Sequence, residues 1–146
     1  MKEFKLPSRR GKITNAPFGK AAKLFTPEDQ PPFFIRGIQA GSKEEYWASL
    51  ALEKIEKNEG YRWQYQVPIW GGRSVSGGLV IDFIVYTPGQ PSWVSPMGRY
   101  WHTGKHYDLM DEIDAAVKNN ARLIAFFTDI TPTKEIMYTY LKSQLT

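Results

Sequence analysis

Three residues in this chain are of the types, and at the spacings, that hydrolytic chemistry requires. Asp82 sits inside "LVIDFIVY", residues 79–86, among seven apolar or aromatic neighbours. Glu45 lies early in "SKEEYWASLALEKIE", and His102 closes "MGRYWH", residues 97–102. Burying an unpaired carboxylate costs several kcal/mol, so Asp82 needs compensation. A divalent cation would supply it, because hard cations take carboxylate oxygens. A structural salt bridge to an arginine would also serve, as would water on the open side of a half-exposed strand. Glu45, at the edge of a helix's apolar face, is placed to reach the end of a central strand. An acid on a strand, an acid on a packed helix and a histidine together make a metal-assisted hydrolytic set, with His102 as acid or base.

The elements that must position these residues are legible in the periodicity. "GSKEEYWASLALEKIEKNEG" reads as a helix capped by Ser42, with Glu44 and Glu45 in its first turn. Its apolar Tyr46, Leu50, Ala51 and Ile55 recur at helical spacing, and Gly60 ends it. "YRWQYQVPI" alternates as a half-exposed strand does. Gly77 and Gly78 then let another backbone, or a nucleic acid, approach the start of the Asp82 strand. "TPGQPS" separates that strand from "WVSPM", a hairpin with a loop of about six residues. "DLMDEIDAAVKNN" is helical by the spacing of Leu109, Ile113, Ala116 and Val117 and closes on an Asn pair. "RLIAFF" is a short buried strand. "TPTKEIMYTYLKSQL" is a final helix with Pro132 in its first turn and Ile136, Tyr140 and Leu141 facing inward. The order predicts an α/β fold with a mixed sheet flanked by helices.

A chain of 146 residues suffices for one domain with a real core. No apolar run approaches the roughly 20 residues that span a bilayer, and "MKEFKLPSRRGK" lacks the apolar region of a secretory signal. Cysteine is absent, which excludes disulfides and thiolate metal sites and agrees with a cytoplasmic setting. Charge is unevenly placed. Residues 1–40 carry eight Lys/Arg against three acids and five of the ten prolines, whereas residues 41–146 carry eleven Lys/Arg against twelve acids. We therefore read residues 1–40 as an extended basic, Pro-rich arm and 41–146 as the folded domain. Such an arm suits nucleic acid phosphates or an acidic partner, and a solubilising tail has the same composition.

From Ser42 to Ile130, the order "EEYWASLALEKIE", "GGLVIDFIVY", "WVSPMGRYWH", "DEIDAAVKNNARLIAFFTDI" resembles the PD-(D/E)XK, restriction-endonuclease-like nucleases, nearest to the very-short-patch repair (Vsr-like) endonucleases. The resemblance implies a restriction-endonuclease-like αβββαβα sheet fold behind the arm, and cleavage of DNA phosphodiester bonds with Mg²⁺ or Mn²⁺. It makes Asp82 the metal-binding aspartate, Glu45 the helix acid and His102 the catalytic histidine, with the backbone carbonyl of Pro96 as a second metal ligand. Arg9, Arg10, Lys12, Arg73, Arg99, Trp101, Lys105 and His106 are the residues expected to meet DNA, although core packing would account equally for Tyr100 and Trp101. His106, four residues after His102, would join it at a metal only if the intervening segment is helical.

The chain also departs from the pattern. The strand after Asp82 reads Ser95, Pro96, Met97 where a typical member has an acid and a lysine, and Met97 stands where repair-type members carry a further histidine. Methionine neither shuttles a proton nor holds Mg²⁺. The contrasting expectation is a nuclease-fold subunit that no longer cuts and serves a nucleoprotein or phage-type assembly, bound to other subunits through residues 1–40. The two separate cleanly: in an assembly subunit, deleting residues 1–40 abolishes co-sedimentation with the assembly while Asp82→Ala leaves it intact. An enzyme shows the reverse dependence, on Asp82 in a cleavage assay.

Overall fold

A computed structural model describes residues 30–98 and 106–146. The compact unit runs from Phe34 to Thr146. It contains a two-residue-strand hairpin, β1 (Phe34–Ile35) and β2 (Ile38–Gln39), then α1 (Lys43–Glu59), β3 (Trp63–Ile69), β4 (Leu79–Val85), β5 (Ser92–Met97), α2 (His106–Lys118), β6 (Arg122–Phe127) and α3 (Lys134–Leu145). From α1 onward this is the αβββαβα order. Strands β3, β4, β5 and β6 lie side by side in that order, antiparallel except for the parallel β5–β6 pair, so the sheet is mixed and flanked by helices. No helix among the described residues is long and apolar enough to cross a membrane.

The first helix forms as its sequence directs. Ser42 Oγ accepts the Glu45 N–H at 3.1 Å, and Gly60, at φ +80°, donates its N–H to Glu56 O at 2.7 Å. These two caps satisfy end groups the helix would otherwise leave unpaired. Ala48, Ala51, Leu52 and Ile55 form the buried row of α1 and pack with Met137, Leu141 and Leu145 of α3 on one face of the sheet. The six-residue β4–β5 loop is as expected from "TPGQPS".

Three apolar side chains differ from their expected burial. Ile113 and Val117 of α2 are exposed, Val117 at 74%, and α2 instead turns Ala115 and Ala116 to the sheet, where small side chains let it approach Trp93 and Ile81 closely. In α3, Ile136 is exposed and its neighbour Met137 takes the core position. Residues 34–40, placed with the arm by composition, fold with the compact unit. Arg36 and Gly37, at φ +49° and +86°, make the two-residue turn of the β1–β2 hairpin. The Arg36 guanidinium stacks 3.5 Å from the Trp63 ring centroid and donates to Trp63 O at 2.6 Å, Glu56 Oε1 at 2.9 Å and Glu53 Oε2 at 3.3 Å.

The sheet changes faces at one place. Trp63 and Tyr65 of β3 and Phe83 and Val85 of β4 pack into the α1–α3 core. Two residues further along the same alternation, Val67 and Ile69 of β3 and Leu79 and Ile81 of β4 belong to the second cluster, with Ala115 and Ala116 of α2. Between them lies Gln66, a non-glycine residue at φ +53° inside a strand. A left-handed residue rotates the following pleat, which explains why same-parity side chains on either side of it face opposite layers. Gln66 is opposite Asp82 in the β3–β4 register, and this pair is the one missing from the run between Trp63↔Val85 and Ile69↔Leu79.

The approach to β4 is equally constrained. After β3 a short 3₁₀ turn, Gly72–Ser74, folds over the strand start, and a Cβ on Gly78 would fall 2.0 Å from Gly72 O. The backbone that Gly78 admits is thus the chain's own. Gly78→Ala is expected to destabilise the fold by about 1–3 kcal/mol, as overpacking against rigid backbone does, and a urea midpoint equal to that of the unsubstituted chain would contradict this packing.

Candidate active site

Asp82 occupies the level of β4 at which no ladder pair is formed to either neighbouring strand. On one side the β3 ladder skips the Gln66–Asp82 pair, and on the other the β4–β5 register runs Val85↔Ser92, Ile84↔Trp93, Phe83↔Val94 and stops just before Asp82. The carboxyl is half-buried and desolvated without being sealed in the core, which answers how an acid is tolerated in an apolar strand. The alternation of β4 breaks here, so Asp82 can feel both layers. Glu45 acts on it from α1, on one face, and Glu112 from α2, on the other.

Burial is the main reason the Asp82 carboxyl is held well above the usual carboxylate range, reinforced by the negative charges of Glu45 and Glu112 and opposed by Arg73. Arg73 lies in the Gly72–Ser74 turn and is exposed. The Glu45 carboxylate is fixed from β3: Tyr65 Oη donates to Glu45 Oε1 at 2.5 Å, and accepts from the Gly41 N–H at 3.2 Å and from Gln66 Nε2 at 3.3 Å. Burial and the bond to Glu45 push the Tyr65 phenol above its ordinary value, so it stays a neutral donor.

Of the residues singled out in the sequence, Glu45 and Arg73 come within electrostatic reach of Asp82. Pro96 is buried in β5, paired in register with Phe126 of β6 and beyond the last β4–β5 pair. His106 is the first residue of α2. Arg9, Arg10, Lys12, Arg99, Trp101, His102 and Lys105 lie outside the described residues. Glu112 and Tyr65 were not anticipated. Glu112 had a signal, since it stands three and four residues before Ala115 and Ala116 on the row of α2 that turns inward. Tyr65 had none, because its partner Glu45 is 20 residues away.

Among the described residues no three His, Cys, Asp or Glu converge as a ready metal cluster. The donor types are nevertheless those a hard cation takes. Mg²⁺ keeps several waters and is commonly bound through one or two carboxylates, and Glu45 acts electrostatically on Asp82 where the β3–β4 ladder is interrupted. Against known protein families, curated proteins and solved structures, the chain gives no match.

The raised Asp82 makes stability depend on pH with a definite sign. Between the unfolded value of 3.8 and the higher folded value, the native chain holds a proton that the unfolded chain has released, so Asp82 lowers stability as pH rises through that window. Asp82→Asn should therefore melt a few degrees higher than the unsubstituted chain at pH 7.5 in chelator, with the difference shrinking towards pH 3. Parallel melting curves across that range would mean the carboxyl is not desolvated.

Proposed function

We propose that this chain is a divalent-metal-dependent endonuclease acting on DNA, with Asp82 and Glu45 as the carboxylates that hold Mg²⁺ or Mn²⁺. The observation that carries this reading is the position of Asp82, at the one level of β4 with no ladder pair on either side, where burial first and then the charges of Glu45 and Glu112 disfavour its ionised form. A structural ion pair would lower a carboxyl, whereas like charges gathered at a sheet opening suit a cation. The resemblance to the PD-(D/E)XK nucleases in the order of elements and in Glu45, Asp82 and His102 points the same way.

When bound, such a cation activates water and neutralises charge on the phosphate. The protein's own residues supply the rest. Asp82 and Glu45 bind, Tyr65 holds Glu45 in place, and the Pro96 carbonyl is a further candidate ligand. Arg73, within electrostatic reach of Asp82, offsets phosphodiester charge. His102 accepts the proton of the attacking water as its oxygen bonds to phosphorus and the bond to the leaving sugar oxygen breaks. Arg9, Arg10, Lys12, Arg99, Trp101, Lys105 and His106 are assigned to DNA contacts.

Ser95, Pro96 and Met97 favour a second reading, because β5 offers neither the acid nor the lysine of a full nuclease site. In that reading the domain is a catalytically silent subunit of a nucleoprotein assembly, tethered through residues 1–40. Calorimetric titration of Mn²⁺ and a supercoiled-plasmid nicking assay separate the two. The nuclease reading expects Mn²⁺ binding that disappears in Asp82→Ala, with nicking reduced at least about 10³-fold, as loss of a metal ligand removes the mechanism. Neither heat nor nicking in the unsubstituted chain would assign the domain to the assembly role.

A further inference from the structure

We infer that Tyr65 is the positioning residue of this site: its hydroxyl takes the Glu45 carboxylate from the Ser42 N–H, its ordinary capping partner, and fixes it for cation binding together with Asp82. The inference rests on the metal-dependent reading above and adds to it a residue outside the expected set.

Unaided, Glu45 would cap its own helix. Ser42, Lys43, Glu44, Glu45 is an S-x-x-E start, in which the glutamate three residues after the cap ordinarily folds back onto the cap's own N–H. Half of that arrangement is present, with Ser42 Oγ accepting the Glu45 N–H at 3.1 Å. The other half is diverted, because Glu45 Oε1 takes its hydrogen bond from Tyr65 Oη at 2.5 Å.

The direction of that bond is forced. A phenol has one proton to give and two lone pairs. The Gly41 N–H at 3.2 Å and Gln66 Nε2 at 3.3 Å are both donors and occupy the lone pairs, which leaves the proton for Glu45. The ring cannot swing away, since Tyr65 is buried and packs at 5.0 Å, centroid to centroid, on Phe83. Gln66 is the residue at φ +53° opposite Asp82, so the strain that opens the sheet there also presents the amide that locks Tyr65. Gly41 completes the cradle. A Cβ at that position would lie 3.0 Å from Glu45 Oε2 and 3.2 Å from Oε1, tight enough to displace the carboxylate.

Residues that hold a metal ligand by hydrogen bonding typically cost about 10–100-fold in metal affinity when removed. Mn²⁺ binding to the full chain, followed by the loss of the free-ion electron paramagnetic resonance signal, is the readout. Tyr65→Phe keeps the ring on Phe83 and is expected to weaken Mn²⁺ binding about 10–100-fold while the protein still melts cooperatively. Gly41→Ala, which leaves the Tyr65 hydroxyl in place but crowds the carboxylate, is expected to weaken it in the same direction. Tyr86→Phe removes a hydroxyl bonded to Gln64 rather than to Glu45, and is expected to leave Mn²⁺ affinity unchanged. In a Glu45→Gln background, Tyr65→Phe should have little further effect, since the two act through one carboxylate. If the unsubstituted chain binds Mn²⁺ through Asp82 and Tyr65→Phe binds it equally well, the positioning role is wrong and the nuclease reading stands. If the unsubstituted chain takes up no Mn²⁺, the nuclease reading fails and this inference falls with it.

Discussion

The desolvation of one carboxylate organises this molecule. An acid in the middle of a central strand is tolerated only where the strand is not fully enclosed, and the fold provides such a place at a single level of β4. There Gln66 adopts a left-handed conformation in the neighbouring strand, the pairing to β5 has ended, and the side chains of the hairpin exchange layers. Those features have one consequence: Asp82 stands at an opening that both helical layers can address. Glu45 comes from one layer and Glu112 from the other. The backbone strain at Gln66, of the order of 1–3 kcal/mol, thus coincides with the only strand position that carries an acid in β4.

Stability and chemistry pull against each other at this point. The two caps of α1, the buried row facing α3 and the glycine contact under the Gly72–Ser74 turn all stabilise the framework around Asp82. The acids themselves destabilise it, since each raises the cost of ionising Asp82. In the proposed reading, the charge of a bound cation would offset that cost. The role inferred for Tyr65 follows the same reasoning. A neutral, saturated phenol can hold a carboxylate in place without neutralising it.

How much of this was legible depends on the range of the interaction. Local signals were reliable: Ser42 and Gly60 cap α1, the "TPGQPS" loop joins β4 to β5, and the αβββαβα order follows from periodicity. Signals that depend on which face meets a neighbour were weaker. Ile113 and Val117 share helical spacing with residues that are buried, but α2 is rotated so that Ala115 and Ala116 meet the sheet, because small side chains permit the closer approach. Composition placed residues 34–40 in the arm, whereas Ile35 in the core and Arg36, stacked on Trp63 and bonded to Glu53 and Glu56, join them to the compact unit. Likewise the tryptophans read alike in sequence, yet Trp63 and Trp93 are core while Trp70 is half exposed.

By itself, the sequence determined the class of elements, their order, the asymmetry of charge and the anomaly of Asp82, because each of these is set by neighbours within a few residues. The tertiary structure decided what that anomaly means. It took the β3–β4 register to set the strained Gln66 against Asp82, the end of the β5 ladder to open the site, and two helices on opposite faces to bring Glu45 and Glu112 within electrostatic range. Tyr65 lies 20 residues from Glu45, and their hydrogen bond exists only once β3 has been laid against α1. Carboxylates interact over a few ångströms of space, not over a few residues of chain, and that distance is fixed by packing.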